Sequence, residues 1–191
     1  MKKYNKYYPV DFEYVNQLPE GWKLLPNIAI FDVRSEKGFT GEELLAVTIK
    51  RGIIKQSQLE NKKDISNEDK SNYKLVKNGD IAYNKMRMWQ GAVGFSKYRG
   101  IVSPAYVVLK PKIKINPKYF HYQFRSTFYI NQSKRFSYGI CDDQLNLRWK
   151  DFKRMYSIVP PIEVQNEIVS YLDEKVKTID NFRNRKKELI N

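Results

Sequence analysis

Basic and amide side chains are concentrated in two stretches of the chain, residues 84–99 and 134–148. The first stretch, which surrounds Trp89, contains Lys85, Arg87, Gln90, Ser96, Lys97 and Arg99. The second contains Lys134, Arg135, Ser137, Tyr138, Asp142, Gln144, Asn146 and Arg148. In the major groove of DNA, Arg pairs with guanine and Gln or Asn with adenine, and each such pair adds ~1–3 kcal/mol of discrimination between bases. The two stretches are therefore candidates for contacts with base edges, and solvated surface charge is the alternative interpretation.

A third basic cluster is formed by Lys50, Arg51 and Lys55. We assign it to phosphate contacts, which position a protein on a duplex without carrying sequence information. Across the chain, 35 Lys and Arg against 21 Asp and Glu give a formal net charge of +14. A surface this basic attracts polyanions. Charge alone does not separate DNA from RNA or from an anionic membrane, and a Lys-rich composition without any polyanionic partner is the alternative.

Residues suited to catalysis or to metal binding are scarce. His121 is the only histidine and Cys141 the only cysteine, so no Cys/His cluster is available for zinc. The sequence contains no GxxxxGKS/T phosphate loop, no GxGxxG fingerprint and no Asn-Pro-Pro-Tyr tetrapeptide of adenine methyltransferases. Asp64 and the run Glu68-Asp69-Lys70 match part of a nuclease motif, but their polar surroundings indicate a solvated turn or helix. We therefore expect no catalytic residue, no metal and no cofactor in this chain.

The single cysteine excludes an intramolecular disulfide, which fits a reducing cytoplasm. The basic N-terminus is followed by no apolar stretch, so no signal peptide is expected. No run approaches the ~18 apolar residues of a spanning helix. The sequence therefore predicts a cytoplasmic protein.

Short β-branched runs between Trp22 and Pro160 predict a compact region rich in strands. These runs are residues 44–49, 80–83, 92–95 and 105–109. One helix is predicted over residues 117–130, because Pro117 suits a first helical turn and Phe120, Phe124 and Phe128 share one helical face. A shorter helix is predicted over residues 147–155, and residues 1–21 are interpreted as a lead-in that ends in a turn.

The C-terminal part changes character after Pro161, because no Gly or Pro follows. Its apolar residues have spacings of 4, 7, 3 and 7 and are Ile168, Leu172, Ile179, Phe182 and Leu189. Lys175 and Lys186 occupy the two remaining positions of this heptad frame. A stripe this narrow is typical of a coiled coil and favours a helix that binds a partner helix. A helix packed on its own domain is the alternative.

Four segments, taken in order, resemble the specificity subunits of type I restriction-modification systems. The beginning is similar in LPEGW, residues 18–22. The central block is similar in Asn78-Gly79-Asp80-Ile81, in KMRMWQGA at 85–92 and in GIVSPAY at 100–106. The stretch from Gly139 to Arg148 with Phe152, and the junction PPIEVQ at 160–165, complete the match. One departure is Val164, where the family often has Glu.

The resemblance implies an α/β (α+β) fold with a mixed, mostly antiparallel curved sheet and flanking helices, followed by a coiled-coil-type helix. Residues 1–160 would form a target recognition domain for double-stranded DNA, and residues 161–191 a spacer and dimerisation helix. Each such domain recognises one half of a split target. The helix docks adenine methyltransferase subunits that bind S-adenosylmethionine, and a motor-nuclease subunit can join. One domain and one short helix suggest a half-subunit or a truncated chain, with a homodimer through the helix as one arrangement.

Two other functions remain open from the sequence. The chain could be the recognition half of a fused type II methyltransferase-nuclease, in which case cleavage would depend on a metal ion. It could also bind nucleic acid without sequence preference. A nonspecific binder would show equal affinity for all sequences and a steep dependence on salt.

Overall fold

The computed structural model describes residues 4–12, 15–59, 69–141 and 144–188. The chain forms two compact units. The larger unit is Leu24–Ile158, and the smaller unit combines the described parts of Met1–Lys23 and Val159–Asn191. The sequence-based boundary between residues 160 and 161 stays a prediction.

The described residues contain many short strands and one long helix. The strands are β1 Tyr7–Phe12, β2 Val15–Pro19, β3 Lys23–Pro26, β4 Phe31–Arg34, β5 Leu45–Thr48, β6 Gly52–Lys55, β7 Lys74–Val76, β8 Ile81–Asn84, β9 Val93–Phe95, β10 Gly100–Val102, β11 Tyr106–Pro111 and β12 Tyr156–Val159. The helices are α1 Asn27–Ile30, α2 Pro117–Phe124, α3 Thr127–Phe136, α4 Trp149–Phe152 and α5 Ile162–Glu188. Single 3-10 turns lie at Gln56–Gln58 and Met88–Gln90.

The centre of the larger unit is a four-stranded sheet in the order β4-β11-β8-β9. Its three pairings are antiparallel, and Leu109 of β11 lies between Val33 of β4 and Ile81 of β8. Two-stranded pairs β5-β6, β10-β7 and β12-β3 accompany it. Apolar, β-branched residues fill these strands because both of their faces are covered, and Val108, Leu109 and Ile81 are fully buried. The predicted mixed, mostly antiparallel α/β fold is confirmed.

Aromatic side chains pack the sheet against the helices of the larger unit. Phe31 of β4 contacts Phe120 and Phe124 of α2 at centroid distances of 5.1 and 5.9 Å. Tyr83 of β8 stacks on Phe152 of α4 at 4.8 Å, and Phe152 also meets Phe124 edge-on at 5.5 Å. Such contacts add about 0.5–1.5 kcal/mol each beyond the area they bury. They fix the helices that carry part of the basic surface.

The prediction of a single helix over residues 117–130 is wrong, because the helix is interrupted at Arg125 and Ser126. Ser126 has an extended backbone (φ −66°, ψ 148°), and its side chain accepts a hydrogen bond from Tyr129 N as the cap of α3. The break changes which aromatic residue faces the core: Tyr129 is buried, whereas Phe128 is only half-buried. The helix predicted over residues 147–155 is also shorter than expected, since only Trp149–Phe152 is helical.

The smaller unit contains α5 and, in the lead-in, an antiparallel hairpin of β1 and β2 where the sequence indicated only a turn. The side chain of Gln165 is buried and donates to Pro160 O at 2.8 Å, which closes the first turn of α5. Val169 is buried near the start of the helix. Among the described helices, none combines the length and the apolar character that crossing a bilayer requires.

Candidate nucleic-acid interface

The two stretches rich in basic and amide side chains lie next to each other in the larger unit. The 3-10 turn at Met88–Gln90 packs on α3, where the Lys134 ammonium lies 5.7 Å from the centroid of the Trp89 ring. Leu147 N donates to Lys85 O at 2.8 Å, which ties the end of the second stretch to the start of the first. The structure therefore brings the start of the first stretch against both ends of the second, at Lys134 and at Leu147. Their contacts with DNA stay a prediction.

Two residues of the third cluster share a groove of about 590 Å³ with the first stretch. Lys50 and Arg51, in the turn between β5 and β6, line the groove together with Arg87 of the first stretch. Tyr73 and Tyr106 supply aromatic lining. The groove therefore combines three cationic side chains with aromatic faces.

Arg125 fixes the β5–β6 turn that carries Lys50 and Arg51. Its guanidinium donates to Lys50 O at 2.9 Å and to Val93 O at 3.4 Å. Burial lowers the pKa of Arg125, although a guanidinium stays charged at neutral pH. Arg125 thus positions the turn and is a structural cation.

A second concavity of about 360 Å³ shows a basic residue that the sequence did not single out. Arg51, Lys97 and Lys118 are its cationic lining. The Lys97 and Lys118 ammonium groups each lie 6.0 Å from the centroid of the Phe95 ring. Lys118 lies at the start of α2, far from Lys97 in sequence, so no spacing pattern could have connected the two.

Two of the predicted DNA-contacting cations are ion-paired on the surface. Lys55 lies 3.0 Å from Glu43 and Arg99 lies 2.6 Å from Glu42. All four side chains are at least partly exposed, and exposed pairs of this kind contribute only about 0–1 kcal/mol. A phosphate can therefore replace either carboxylate at small cost.

The prediction that Ser96 contacts DNA is corrected by its burial. Its side chain is fully buried, and its hydroxyl donates to Tyr98 O at 2.9 Å and accepts from Tyr98 N at 3.1 Å. Ser96 N donates to Asp80 O at 2.7 Å. Because the side chain has no exposed surface for a base or a phosphate, we assign Ser96 to the turn instead.

Asp80 also acts structurally. Its carboxylate accepts from Lys77 N at 2.8 Å and from the Arg34 guanidinium at 2.6 and 3.1 Å. This carboxylate is the main reason that the pKa of Arg34 is raised. The bonds close the Asn78-Gly79 turn that leads into β8.

The amide side chains of the two stretches differ in exposure. Gln144 is exposed, whereas Gln90 and Asn146 are half-buried. Gln90 Oε1 and Asn146 Oδ1 are buried without a hydrogen-bond partner among the described residues. Ser137 donates to Ser133 O at 2.7 Å, and Asp142 lies outside the described residues.

The second stretch contains a loop that is closed at its base. Tyr138 N donates to Asn146 O at 3.2 Å, and Asn146 N donates to Tyr138 O at 2.9 Å. The Tyr138 side chain at this bridge is 75% exposed, and Ile140 beyond it is 95% exposed. Ile140 was missed by the sequence analysis, which considered only polar and basic side chains there.

The described part of the chain offers no metal-binding site. No group of three or more His, Cys, Asp and Glu side chains within it is arranged to hold an ion. His121 packs edge-on against Phe95 and Tyr122 at centroid distances of 5.8 and 5.3 Å. Asp64 and Glu68 of the partial nuclease motif lie outside the described residues.

The larger unit thus combines small antiparallel sheets with a groove lined by three cationic side chains, an arrangement typical of nucleic-acid-binding modules. A family model agrees with this class and makes it specific. The chain belongs to the type I restriction modification DNA specificity domain family, whose model matches residues 19–191.

Solved structures show the same fold. The HsdS subunit from Thermoanaerobacter tengcongensis has a TM-score of 0.62 at 16% identity, over 90% of this chain and 46% of that one. A structure that describes complex assembly and conformational transition of the type I R-M system has a TM-score of 0.67 at 15% identity, over 90% of this chain and 46% of that one. The type I restriction-modification S subunit from M. genitalium has a TM-score of 0.54 at 14% identity, over 84% of this chain and 40% of that one.

The chain thus spans less than half the length of these three matched chains. No curated protein sequence matches it.

Proposed function

We propose that this chain recognises one half of a bipartite DNA target as the specificity component of a type I restriction-modification system. The observation that carries the proposal is the groove of the larger unit that Lys50 and Arg51 of one basic cluster line together with Arg87 of another. Lys134 of the remaining stretch is in sequence-distant contact with Trp89. Family membership supports it. The chain itself supplies recognition, and the chemistry belongs to its partners.

Side-chain chemistry suits some residues of the candidate interface to phosphate contacts and others to base contacts. Arg51, Lys97 and Lys118 line the second concavity, and these three cations suit the DNA backbone. Arg87, Gln144 and Arg148, which are exposed in the two converging stretches, suit base edges. Phosphate contacts set the register, and the loop and turn residues then meet the bases.

Docking of an adenine methyltransferase through α5 is the second part of the proposal. Beyond Asp173, the described apolar side chains of this helix are exposed, with Ile179 at 60% and Phe182 at 67%. Ile168 and Leu172 of the predicted stripe are half-buried, and Leu189 lies outside the described residues. An exposed apolar stripe on a helix favours a partner helix, from the methyltransferase subunit or from a second copy of this chain. S-adenosylmethionine would bind to the methyltransferase, and a motor-nuclease subunit would complete a restriction complex.

Lys118→Ala tests the assignment of the second concavity to phosphate. We expect the slope of log K against log salt to become shallower by about one, with equal loss of affinity for all sequences, because one phosphate contact and its counterion release are removed. The measurement is fluorescence anisotropy with labelled duplex DNA at several salt concentrations. Lys110→Ala is the matched control, since Lys110 is exposed on β11 and lines neither concavity. An unchanged slope for Lys118→Ala would remove this residue from the interface.

Selection from a pool of randomised duplex DNA tests the proposed function as a whole. We expect one short motif, or two motifs at a fixed spacing, to be enriched at ~150 mM salt, where nonspecific phosphate binding is suppressed. The selection is run with and without an adenine methyltransferase partner. Equal recovery of all sequences in both arms would instead indicate a nonspecific nucleic-acid-binding protein.

A further inference from the structure

The loop between Tyr138 and Asn146 exposes an aliphatic side chain at the edge of the basic surface. Ile140 is the most exposed of the large apolar side chains in the described part of the chain, at 95%, and Tyr138 in the same loop is exposed as well. A single exposed apolar residue needs no functional explanation. The case for Ile140 rests on how the loop is built and on what surrounds it.

The base of the loop is fixed. The Tyr138–Asn146 bridge holds its two ends together with hydrogen bonds of 3.2 and 2.9 Å. At Gly139 the two sides approach so closely that a Cβ would lie 2.7 Å from Gln144 O. Leu145 and Leu147 are buried and anchor the returning segment. The two described sides of the loop therefore run close together at its base, and Ile140 follows this closed base with its side chain exposed.

The surroundings of the loop are cationic. Lys134 and Arg135 at the end of α3 precede it, Arg148 follows it, and all three side chains are exposed. Charge of this sign favours a polyanion as the partner over an apolar protein surface. A two-stranded ribbon fits the major groove of B-DNA, which is about 12 Å wide. The apolar group displayed in that groove is the 5-methyl group of thymine.

We infer that Ile140 contacts the 5-methyl group of a thymine in the recognised half-site, and so acts as a specificity-determining residue beside the polar contacts. This contact rests on the proposed function, because it requires the loop to enter the major groove. The exposed Gln144 side chain, in the returning segment of the loop, would reach a neighbouring base edge. Apolar and hydrogen-bonding contacts would then discriminate adjacent base pairs together.

Substitution of thymine by uracil tests the contact, because it removes one methyl group and leaves base pairing unchanged. The full chain, with its methyltransferase partner if the selection requires one, is titrated with the selected target and with versions carrying uracil at each thymine in turn. We expect about fourfold weaker binding at one position, the factor for burial of one methyl group. Ile140→Ala should lose about as much on the thymine target and lose nothing further on uracil. Ile113→Ala, at an exposed isoleucine elsewhere in the unit, should behave as the wild type.

Three outcomes would overturn the contact. They are insensitivity of the wild type to uracil at every thymine, an equal uracil penalty in Ile140→Ala, and evidence that Ile140 is an intercalating wedge. A wedge would raise 2-aminopurine fluorescence at one base step in the wild type, but not in Ile140→Ala, without any dependence on the methyl group. If the wild type selects no target at all, the proposed function fails first. Selection of a target without uracil sensitivity refutes only the thymine contact.

Discussion

Ile179→Asp combined with Phe182→Asp is expected to weaken association of the chain with its methyltransferase partner, or with a second copy, by ~100-fold or more. Both side chains are exposed, so their replacement leaves the smaller unit folded. In a coiled coil, each would be buried against a partner helix, which stabilises a complex by at least ~1.5 kcal/mol per side chain. Loss of both removes at least ~3 kcal/mol, and every ~1.4 kcal/mol is tenfold in affinity.

Asn181→Asp combined with Asn184→Asp is the matched control for the helix. It adds the same two negative charges to exposed positions of α5 that lie outside the heptad stripe. We expect it to associate as the wild type does. Light scattering measures association with a second copy, and co-purification measures association with the methyltransferase. If both double variants lose the partner equally, charge rather than the apolar stripe governs association. If neither loses it, α5 is not the docking helix.

Elements with a strong local signal were predicted from the sequence. The run at 105–109 is β-branched and corresponds to β11, the inner strand that pairs with both β4 and β8. The uninterrupted heptad pattern after Pro161 corresponds to α5. In both cases the signal lies within the run itself, as β-branched residues in β11 and as heptad spacing in α5, so the local sequence suffices to predict the element.

Elements decided by a single local hydrogen bond were not predicted. The sequence pattern predicted one helix from Pro117 through Ile130. The regular spacing of the phenylalanines favoured an unbroken helix more strongly than a single serine argued against it. In the structure, the Ser126 side chain caps α3 and ends the common helical face. The hairpin of β1 and β2 was missed for another reason: its residues are mostly exposed, so they lack the apolar alternation of a half-buried strand.

The basic residues of the candidate site could be named from their types, but their grouping could not. The contact of Trp89 with Lys134 and the groove shared by Lys50 and Arg87 depend on how the sheet and helices pack. Ser96 shows the opposite case, a polar residue in a basic stretch whose hydroxyl is used by its own turn. Composition indicates the partner class, whereas tertiary packing decides which side chains remain available to it.

The β5–β6 hairpin, which carries Lys50 and Arg51, depends on the absence of a side chain at Gly100. Gly100 begins β10 and pairs with Val76 of β7. A Cβ at this position would lie 2.3 Å from Glu43 O and 2.8 Å from Leu45 Cγ. Ile101 N donates to the same Glu43 carbonyl at 2.8 Å, so the segment before β5 cannot move away without breaking that bond.

Gly100→Ala is therefore expected to lower the free energy of unfolding by ~3 kcal/mol, the upper end for overpacking, because the atom that it meets is backbone. Urea denaturation followed by circular dichroism measures this as a lower midpoint. Gly41→Ala is the matched control: a Cβ there meets nothing within 4 Å, and its backbone is not left-handed. The control should be neutral or gain up to ~1 kcal/mol from the stiffer unfolded chain. Equal midpoints for the two variants would mean that the hairpin can shift freely on β10, and the groove that joins Lys50 and Arg51 to Arg87 would then not be fixed before DNA binds.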